Sequence, residues 1–273
     1  IKWDALLQRA EQLDCEYLAT GHYARLATGE DGRRYVLCGD DLNKDQSYVL
    51  WGLSQDALKK TLFPMGDYTK DSIRAMAMDR GYRSLVNKPE SYEICFVPDN
   101  DYRGFLKRRV PGLEQRVKGG DFVDTAGQSI GRHQGYPFYT VGQRKGLETA
   151  FGTPKYVVSI DADRNLVVLG DLEDLDRTTM IVHQLNWQKI ASVPEEGMDA
   201  VVKIRYKDPG TPAFVKADGS KVVVEFMAPV KAIAPGQSAV FYAGDAVLGG
   251  GWIHSSRPMN REMTRHNESL VNP

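Results

Sequence analysis

The segment SYEICFVPDN, residues 91–100, places one cysteine, Cys95, between two apolar residues and shortly before a proline. A thiolate is a strong nucleophile. A cysteine at the end of a strand and near cationic groups is accessible and reactive. Pro98 is expected to end a strand soon after Cys95, which would leave the thiol close to a loop. A free cysteine is equally well known as a small buried apolar residue. Both interpretations of Cys95, a reactive thiol and a core residue, stay open at this point.

Two further segments place polar side chains beside a glycine or at a helix start. In TGHYAR, Gly21 and His22 follow a predicted strand, the position at which open α/β sheets bind nucleotides. In KDQ, Lys44 and Gln46 precede an apolar helical stretch and could hold a phosphate or a base edge at its N-terminus. An ordinary turn is the alternative for the first segment, and a helix cap formed by Asp45 is the alternative for the second.

Basic residues are concentrated between residues 101 and 150, where nine Lys and Arg accompany five Asp and Glu. The resulting local charge of +4 contrasts with −1 for the whole chain. Glycines and aromatic residues such as Tyr136 and Phe138 are interleaved with the cations. This composition suits an RNA backbone with unstacked bases. A solvated positive face on a β-rich domain is the alternative interpretation.

Several classes of site and protein are disfavoured by residue spacing. The three cysteines form no CxxC pair and the histidines lack metal-ligand spacing, so we predict neither a disulfide framework nor a metal site. The glycines before Trp252 lack the Lys and Ser or Thr of a phosphate loop and indicate a strand bend or bulge. No apolar run has the length of a membrane span, and the cysteine usage favours a reducing compartment. We therefore expect a cytoplasmic protein with no membrane partner.

The elements that would position these residues change character along the chain. Helical spacing predicts a first helix over Trp3–Leu13, then a short strand, a hairpin over Arg25–Cys38, and helical segments over 45–60 and 69–80. A short basic helix capped by Asp101 follows. Beyond it, short strands separated by turn signals predict a small barrel or sandwich over about the last hundred residues.

The predicted fold class is therefore α/β plus all-β, with three parts. We expect an α/β domain over residues 1–100, a central β-rich domain over 101–168 and a C-terminal β barrel over 169–273. Within the barrel, strand alternation in VVKIRY is expected to place Val202, Ile204 and Tyr206 on one face.

The motifs of the chain, taken together, resemble those of the tRNA-specific 2-thiouridylase family, whose members place sulfur on the wobble uridine of certain tRNAs. The matching segments, in the order of the family, are ATGHYAR, KDQSYVLWGLS, ESYEICFV, GRHQG, YTVGQRKGL, VKIRY, APGQ and VLGGGWI. The resemblance covers almost the whole chain. Tyr92 departs from it, because the family often has Gln beside the glutamate.

The resemblance implies a Rossmann-like ATP-pyrophosphatase domain, a small central β domain and a C-terminal barrel like those of translation factors. It implies a tRNA-uridine 2-sulfurtransferase that uses ATP, with magnesium expected, to adenylate the C2 oxygen of uridine before a cysteine persulfide supplies sulfur. Cys95 matches the persulfide-bearing cysteine and Gly21 an ATP contact. The positions that match tRNA contacts are His22, Lys44, Asp45, Gln46, Arg205, Tyr206 and Gln237. The implied partners are tRNA and a sulfur-relay protein or cysteine desulfurase, and we expect a monomer.

The family's ATP loop, SGGxDSS, does not occur in the 273 residues, and Ile1 begins inside a helical pattern. We interpret the chain as a fragment that lacks the N-terminal ATP-loop segment, and we expect it to be unable to complete thiolation alone. A non-catalytic RNA-binding module with a structural Cys95 is the alternative. An amide-forming ligase acting on a small molecule is a third reading, against which the basic β-rich half argues.

Overall fold

The computed structural model of the chain describes residues 2–86, 97, 101–147 and 152–258. Its helices are α1 (Lys2–Gln12), α2 (Gln55–Lys59), α3 (Lys70–Asp79), α4 (Arg83–Val86), α5 (Tyr102–Arg109) and α6 (Leu113–Val117). Its strands are β1 (Leu18–Ala19), β2 (Ala24–Thr28), β3 (Arg34–Cys38), β4 (Thr61–Leu62), β5 (Gly120–Val123), β6 (Ser129–His133), β7 (Tyr156–Asp161), β8 (Leu166–Gly170), β9 (Asp176–Trp187), β10 (Met198–Lys203), β11 (Thr211–Asp218), β12 (Lys221–Lys231), β13 (Ser238–Ala243) and β14 (Ala246–Pro258). Short 3₁₀ helices lie at Ser47–Leu50, Tyr136–Phe138 and Leu172–Leu175.

The chain folds into two compact units. The first contains Ile1–Lys88, Thr179–Ala228 and Pro235–Ser256, and the second contains Pro89–Thr178, Pro229–Ala234 and Arg257–Pro273. These units are defined by contacts within the structure, whereas the three domains above were drawn from composition along the sequence. The predicted domain boundaries therefore stay a prediction.

Strands β9 to β14, which lie mainly in the first unit, close into a barrel. They are hydrogen-bonded in the order β13–β10–β11–β12–β9–β14, and β14 pairs back with β13. Alternate valines such as Val202, Val215 and Val224 are buried, as the two-residue period of a strand requires when one face lines a core. The predicted C-terminal β barrel is confirmed.

The hairpin β2–β3 continues the barrel sheet beyond β14. Leu37 of β3 pairs with Ala246, and the Cys38 N–H donates to the Asp245 carbonyl at 2.8 Å. Arg25 lies between two carboxylates, 3.1 Å from Asp40 and 3.0 Å from Asp245. The hairpin predicted over Arg25–Cys38 is confirmed, and it connects the N-terminal region of the first unit to the barrel.

The α/β portion of the first unit surrounds a short parallel pair, β1 and β4. The Thr61 hydroxyl accepts the Trp3 indole N–H at 3.0 Å and donates to the Ala57 carbonyl at 2.7 Å, so α1, α2 and β4 share one buried polar group. The predicted first helix is confirmed as α1. In α3, Thr69 caps the N-terminus by accepting the Ser72 N–H, which confirms the helix predicted over 69–80.

The helical character expected over 45–60 is present in two segments, the 3₁₀ helix Ser47–Leu50 and the separate helix α2, which Ser54 caps. One local prediction in the barrel is wrong. Strand β10 ends at Lys203, so Tyr206 does not share the buried face of Val202 and Ile204 but is 41% exposed. The turn formed by Asp208, which accepts the N–H groups of Ile204 and Gly210, ends the alternation at this point.

The second unit has a sheet in the order β6–β5–β8–β7, in which β5 and β8 are parallel. Asp101 accepts the Gly104 N–H at 2.8 Å, which confirms the predicted capped basic helix as α5. Phe122, Val157 and Val167 are fully buried in its core. The β-rich character predicted for this part of the chain is thereby confirmed.

Candidate functional site

Cys95, the predicted nucleophile, lies outside the described residues, as does the rest of ESYEICFV except Val97. The other two cysteines differ in environment, since Cys15 is exposed and Cys38 is buried. Burial raises the pKa of the Cys38 thiol, which keeps it protonated and unreactive near neutral pH. Cys15 and Cys38 therefore offer an exposed and a buried reference for the reactivity of Cys95.

Gly21 lies just beyond the carboxyl end of β1, which pairs with β4 in parallel. The Thr20 N–H donates to the Leu62 carbonyl at 3.0 Å and adds one hydrogen bond to this pair. A β-carbon at Gly21 would meet only Met65 Cε, at an ordinary 3.9 Å. Packing within the described residues therefore does not require glycine here, and the exposed backbone is open to a ligand. The carboxyl ends of strands are where α/β sheets bind ligands, which fits the predicted nucleotide contact.

His22 is fixed by its neighbours and borders a cavity. Its Nδ1 is hydrogen-bonded to the Thr20 hydroxyl at 2.9 Å, and its ring centre lies 5.3 Å from that of Trp3 and 6.1 Å from that of Phe63. The cavity has a volume of about 400 Å³. Besides His22 it is lined by Trp3, Asp4, Val49, Leu50, Gly52, Leu53, Ser54 and Ala57. Small-molecule sites span roughly 300–1,000 Å³, so a planar ring of nucleobase size can be accommodated.

Asp45 and Gln46 shape the loop that carries Lys44. One Asp45 oxygen accepts the N–H groups of Gly39 at 3.0 Å and Ser47 at 3.1 Å. The Gln46 side-chain oxygen accepts the Tyr23 N–H at 3.0 Å. Asp45 thus accepts backbone N–H groups as expected, but the N-cap of the 3₁₀ helix is Gln46 and no side chain caps it, so the predicted helix cap at Asp45 is not formed. The hydrogen bonds of Asp45 and Gln46 instead hold the backbone of the loop.

A buried hydrogen-bond chain connects this loop to the barrel through Ser47. The Ser47 hydroxyl donates to Asp45 Oδ2 at 2.7 Å. Since a hydroxyl has one proton, the Tyr242 hydroxyl, 3.1 Å away, must donate to Ser47. Cys38 Sγ lies 3.5 Å from the same oxygen. Burial raises the pKa of Tyr242, which keeps the donated proton in place.

Arg205 and Tyr206 occupy a tight turn after β10 that is organised by Asp208. The Asp208 carboxylate accepts the N–H groups of Ile204 at 3.1 Å and Gly210 at 3.0 Å. These hydrogen bonds end the strand and turn the next two residues outwards. Arg205 and Tyr206 are consequently exposed at one end of the barrel.

Tyr48 joins that turn to the start of β13. Its ring centre lies 6.5 Å from that of Tyr206, and its hydroxyl donates to the Ser238 carbonyl at 2.9 Å. Gln237, the residue before Ser238, is exposed. Burial, together with the negative charge of Asp208, raises the pKa of Tyr48 to about 12. The phenol therefore stays protonated and keeps the two barrel segments beside the 3₁₀ helix.

The 3₁₀ helix Ser47–Leu50 is thus the element at which the predicted site residues of the first unit meet. On one side, Val49 and Leu50 line the cavity that contains His22. On the other, Tyr48 reaches the exposed residues of the barrel end. The structure therefore places His22, Tyr206 and Gln237 around one helix. The position of Cys95 lies outside the described residues.

Four residues that build this arrangement are absent from the predicted site. Ser47 and Tyr48 do lie in the quoted motif KDQSYVLWGLS, and Asp208 precedes a Pro-Gly turn signal. Tyr242 carries no local signal, because its partner Ser47 is 195 positions away in the sequence.

Part of the positive charge of the second unit is used in its own folding. The Arg103 guanidinium lies 5.9 Å from the ring centre of Phe138 and 5.8 Å from that of Tyr139. Lys107 Nζ lies 5.7 Å from Phe138 and 2.5 Å from a Glu114 oxygen. Cation–π contacts of this length contribute about 0.5–1 kcal/mol at exposed sites. The other two basic side chains of α5, Arg108 and Arg109, are exposed.

Within residues 2–86, 101–147 and 152–258, no three His, Cys, Asp or Glu side chains are grouped as metal ligands. Over the same part of the chain, no helix combines the length and the apolar character that crossing a membrane requires.

Three family models match consecutive regions of the chain. The tRNA methyl transferase HUP domain matches residues 1–99, the tRNA methyl transferase PRC-barrel domain matches residues 103–171, and the Aminomethyltransferase beta-barrel domain matches residues 177–253. The order of an α/β region, a small β region and a β barrel agrees with the architecture above. The predicted fold class is confirmed.

Curated relatives extend the similarity over nearly the whole chain. The tRNA-specific 2-thiouridylase MnmA of Amoebophilus asiaticus is 59% identical over 256 residues, which are 94% of this chain and 68% of that protein. The protein of the same name from Cytophaga hutchinsonii is 54% identical, over 94% of this chain and 69% of the relative. The protein of the same name from Salinibacter ruber is 50% identical, over 93% of this chain and 67% of the relative.

Proposed function

We propose, from the premise that this chain belongs to the family of tRNA-specific 2-thiouridylases, that it takes part in transferring sulfur to the C2 position of the wobble uridine of tRNA. In this proposal the barrel and the 3₁₀ helix Ser47–Leu50 bind the tRNA. Cys95 carries the sulfur, delivered by a sulfur-relay protein or a cysteine desulfurase. The protein acts as a monomer in the cytoplasm.

The observation that carries the proposal is the arrangement around the 3₁₀ helix. His22 lies on the cavity side, whereas Tyr206 and Gln237 lie at the barrel end that Tyr48 contacts. Residues from distant parts of the sequence thereby border the same 3₁₀ helix, and we propose that tRNA contacts both of its sides. Lys44 extends this region, and the hydrogen bonds of Asp45 and Gln46 fix the loop that presents it.

ATP, with magnesium, is the proposed cofactor, and Gly21 is the described residue that fits a nucleotide. Its backbone is exposed at a strand's carboxyl end, with room around the α-carbon. When bound, ATP supplies the adenylation that makes the C2 oxygen of uridine a leaving group. The 273 residues contain no SGGxDSS loop to hold the phosphates, so Gly21 is proposed as one contact of a larger site.

The Cys95 persulfide is proposed to act after that activation. Its outer sulfur forms a bond to C2 of the uridine as the C2–O bond breaks and AMP leaves. A second thiol, as co-reactant, then attacks Cys95 Sγ, so that the S–S bond breaks, the outer sulfur stays on C2 and Cys95 ends in a disulfide. Because the ATP loop does not occur in the 273 residues, we expect these residues alone to bind tRNA but to make no 2-thiouridine.

The substitution Cys95→Ser tests the proposal in the full-length protein. We expect it to abolish 2-thiouridine formation, because a hydroxyl cannot carry a persulfide, and to leave the Kd for tRNA unchanged. Formation is measured by nucleoside mass spectrometry after incubation with ATP and a sulfur donor. Cys15→Ser is the matched control, since Cys15 is exposed and outside the site. Its activity should equal that of the wild type.

If Cys95→Ser thiolates tRNA at the wild-type rate, Cys95 is structural and the RNA-binding module is the better description. The 273-residue chain gives the second test under the same conditions. Detection of 2-thiouridine with this chain alone would contradict the expected dependence on an ATP loop.

A further inference from the structure

Trp252 is a large exposed aromatic residue that the function proposed above does not use. It is 41% exposed, although tryptophan is highly buried on average. One side of its indole packs edge-on against the buried Trp51, with ring centres 5.6 Å apart and an interplanar angle of 79°. The contact orients Trp252 and leaves a flat apolar ring partly in solvent.

The strand register places Trp252 level with Tyr206. Trp252 of β14 pairs directly with Ser238 of β13, and two residues further along β13, Val240 pairs with Lys203 of β10. Tyr206 follows Lys203 around the turn at the same end of the barrel. Two strand spacings, about 10 Å in total, therefore separate the strand of Trp252 from the strand that leads to Tyr206.

Tyr48 contacts one of these residues and a neighbour of the other. Its ring contacts Tyr206 and its hydroxyl contacts the carbonyl of Ser238, the direct partner of Trp252. Tyr206, Tyr48 and Trp252 thus form a row across the barrel end, which we call the aromatic row.

Cations lie along the same end of the barrel. Arg205 and Lys207 are exposed on either side of Tyr206, and Lys203 Nζ lies 4.8 Å from the ring centre of Tyr242 on the neighbouring strand. The acidic residue of this turn, Asp208, is buried and its carboxylate accepts backbone N–H groups. A flat aromatic surface flanked by exposed cations is complementary to a nucleotide, whose base stacks while its phosphate meets the positive charge.

We propose that the aromatic row binds an unpaired nucleotide of the tRNA, with the base stacked on the exposed indole of Trp252. This inference rests on the proposed function, because it takes tRNA as the ligand. It adds Trp252 as a contact that supplies affinity through stacking instead of charge.

The test measures binding of the 273-residue chain to tRNA at several salt concentrations. Trp252→Leu keeps an apolar contact with Trp51 but removes the flat ring, and Trp252→Phe keeps a ring. Met227→Ala is the matched control, because Met227 is a 67% exposed apolar residue on β12 that is outside the row. Circular dichroism and the thermal midpoint confirm that each variant is folded.

Stacking of one base on an aromatic side chain is worth about 1–3 kcal/mol, or about 5- to 150-fold in Kd. We expect Trp252→Leu to weaken tRNA binding within this range, Trp252→Phe to restore most of it, and Met227→Ala to leave it unchanged. The slope of log K against log salt should be the same in all four proteins, because no charge is removed. Tryptophan fluorescence should be quenched by tRNA in the wild type, and this quenching should be lost in Trp252→Phe.

A folded Trp252→Leu variant with wild-type Kd would overturn this inference while leaving the proposed function intact. Wild-type chain that shows no salt-dependent binding to tRNA would overturn both, and the two failures are therefore distinguishable.

Discussion

The hydroxyl of Tyr242 supplies one hydrogen bond that connects the barrel to the segment before the 3₁₀ helix Ser47–Leu50. Tyr242→Phe removes only that O–H group and leaves the ring packed, so the buried oxygen of Ser47 loses one donor. A typical intramolecular hydrogen bond contributes about 0.5–1.5 kcal/mol net. We expect the free energy of unfolding at pH 7 to fall by about 1 kcal/mol, measured by urea denaturation.

Tyr68→Phe serves as the control for this change, because the Tyr68 side chain is 43% exposed. It should unfold at the wild-type urea concentration. If Tyr242→Phe does the same, the hydrogen bond to Ser47 contributes nothing to stability, and the connection between loop and barrel must depend on the apolar contacts around it.

At the scale of secondary-structure elements, sequence was informative wherever the determinant was local. Thr69 and Asp101 are cap residues that mark the starts of α3 and α5. Each accepts an N–H group only three residues further along the chain, so the determinant of the helix start is local. The helical character predicted over 45–60 is divided into two segments after Leu50, where Trp51 packs against strand β14. That contact depends on Gly250, about two hundred positions away. The periodicity of residues 45–60 alone cannot predict a contact with a residue so distant in the sequence.

Gly250 is required by this packing and not by its backbone angles. A β-carbon there would lie 2.8 Å from the Ala239 carbonyl oxygen and 2.8 Å from the Trp51 ring. Overpacking of this kind typically costs about 1–3 kcal/mol. We expect Gly250→Ala to lower the free energy of unfolding by that amount and to change the fluorescence of Trp51.

Gly52→Ala provides the comparison for Gly250→Ala. Gly52 is next to Trp51, yet a β-carbon there would have no atom within 4 Å. It should therefore leave the denaturation midpoint close to that of the wild type. Equal stability of the two alanine variants would mean that Trp51 moves away from β14 without cost.

At the scale of the whole molecule, the family resemblance predicted the α/β, β-rich and barrel architecture, and matched His22, Tyr206 and Gln237 to one ligand. It could not predict that these residues meet at the 3₁₀ helix Ser47–Leu50. The Tyr48 contacts place Tyr206 and the segment of Gln237 beside this helix, whereas His22 reaches it through the cavity lined by Val49 and Leu50. Such long-range geometry follows from the assembled sheet and has no sequence signature.

The distribution of charge over the molecule leads to a prediction about tRNA binding. The net charge is −1, so attraction to tRNA has to come from local groups of cations. Each phosphate neutralised by a cation contributes about 0.9 to the slope of log K against log salt for duplex nucleic acid. We expect Arg205→Ala to weaken binding and to reduce that slope by about 1, measured by titration of the 273-residue chain with tRNA at several salt concentrations.

Lys216→Ala removes the same charge from an exposed position on β11, away from the turn that carries Arg205, and its slope should match the wild type. If both variants reduce the slope equally, the attraction is diffuse and the barrel end has no special role. If only Arg205→Ala does so, a phosphate lies at the turn organised by Asp208. The hydrogen bonds of that carboxylate would then contribute to binding through the position of Arg205, without contact between Asp208 and the tRNA.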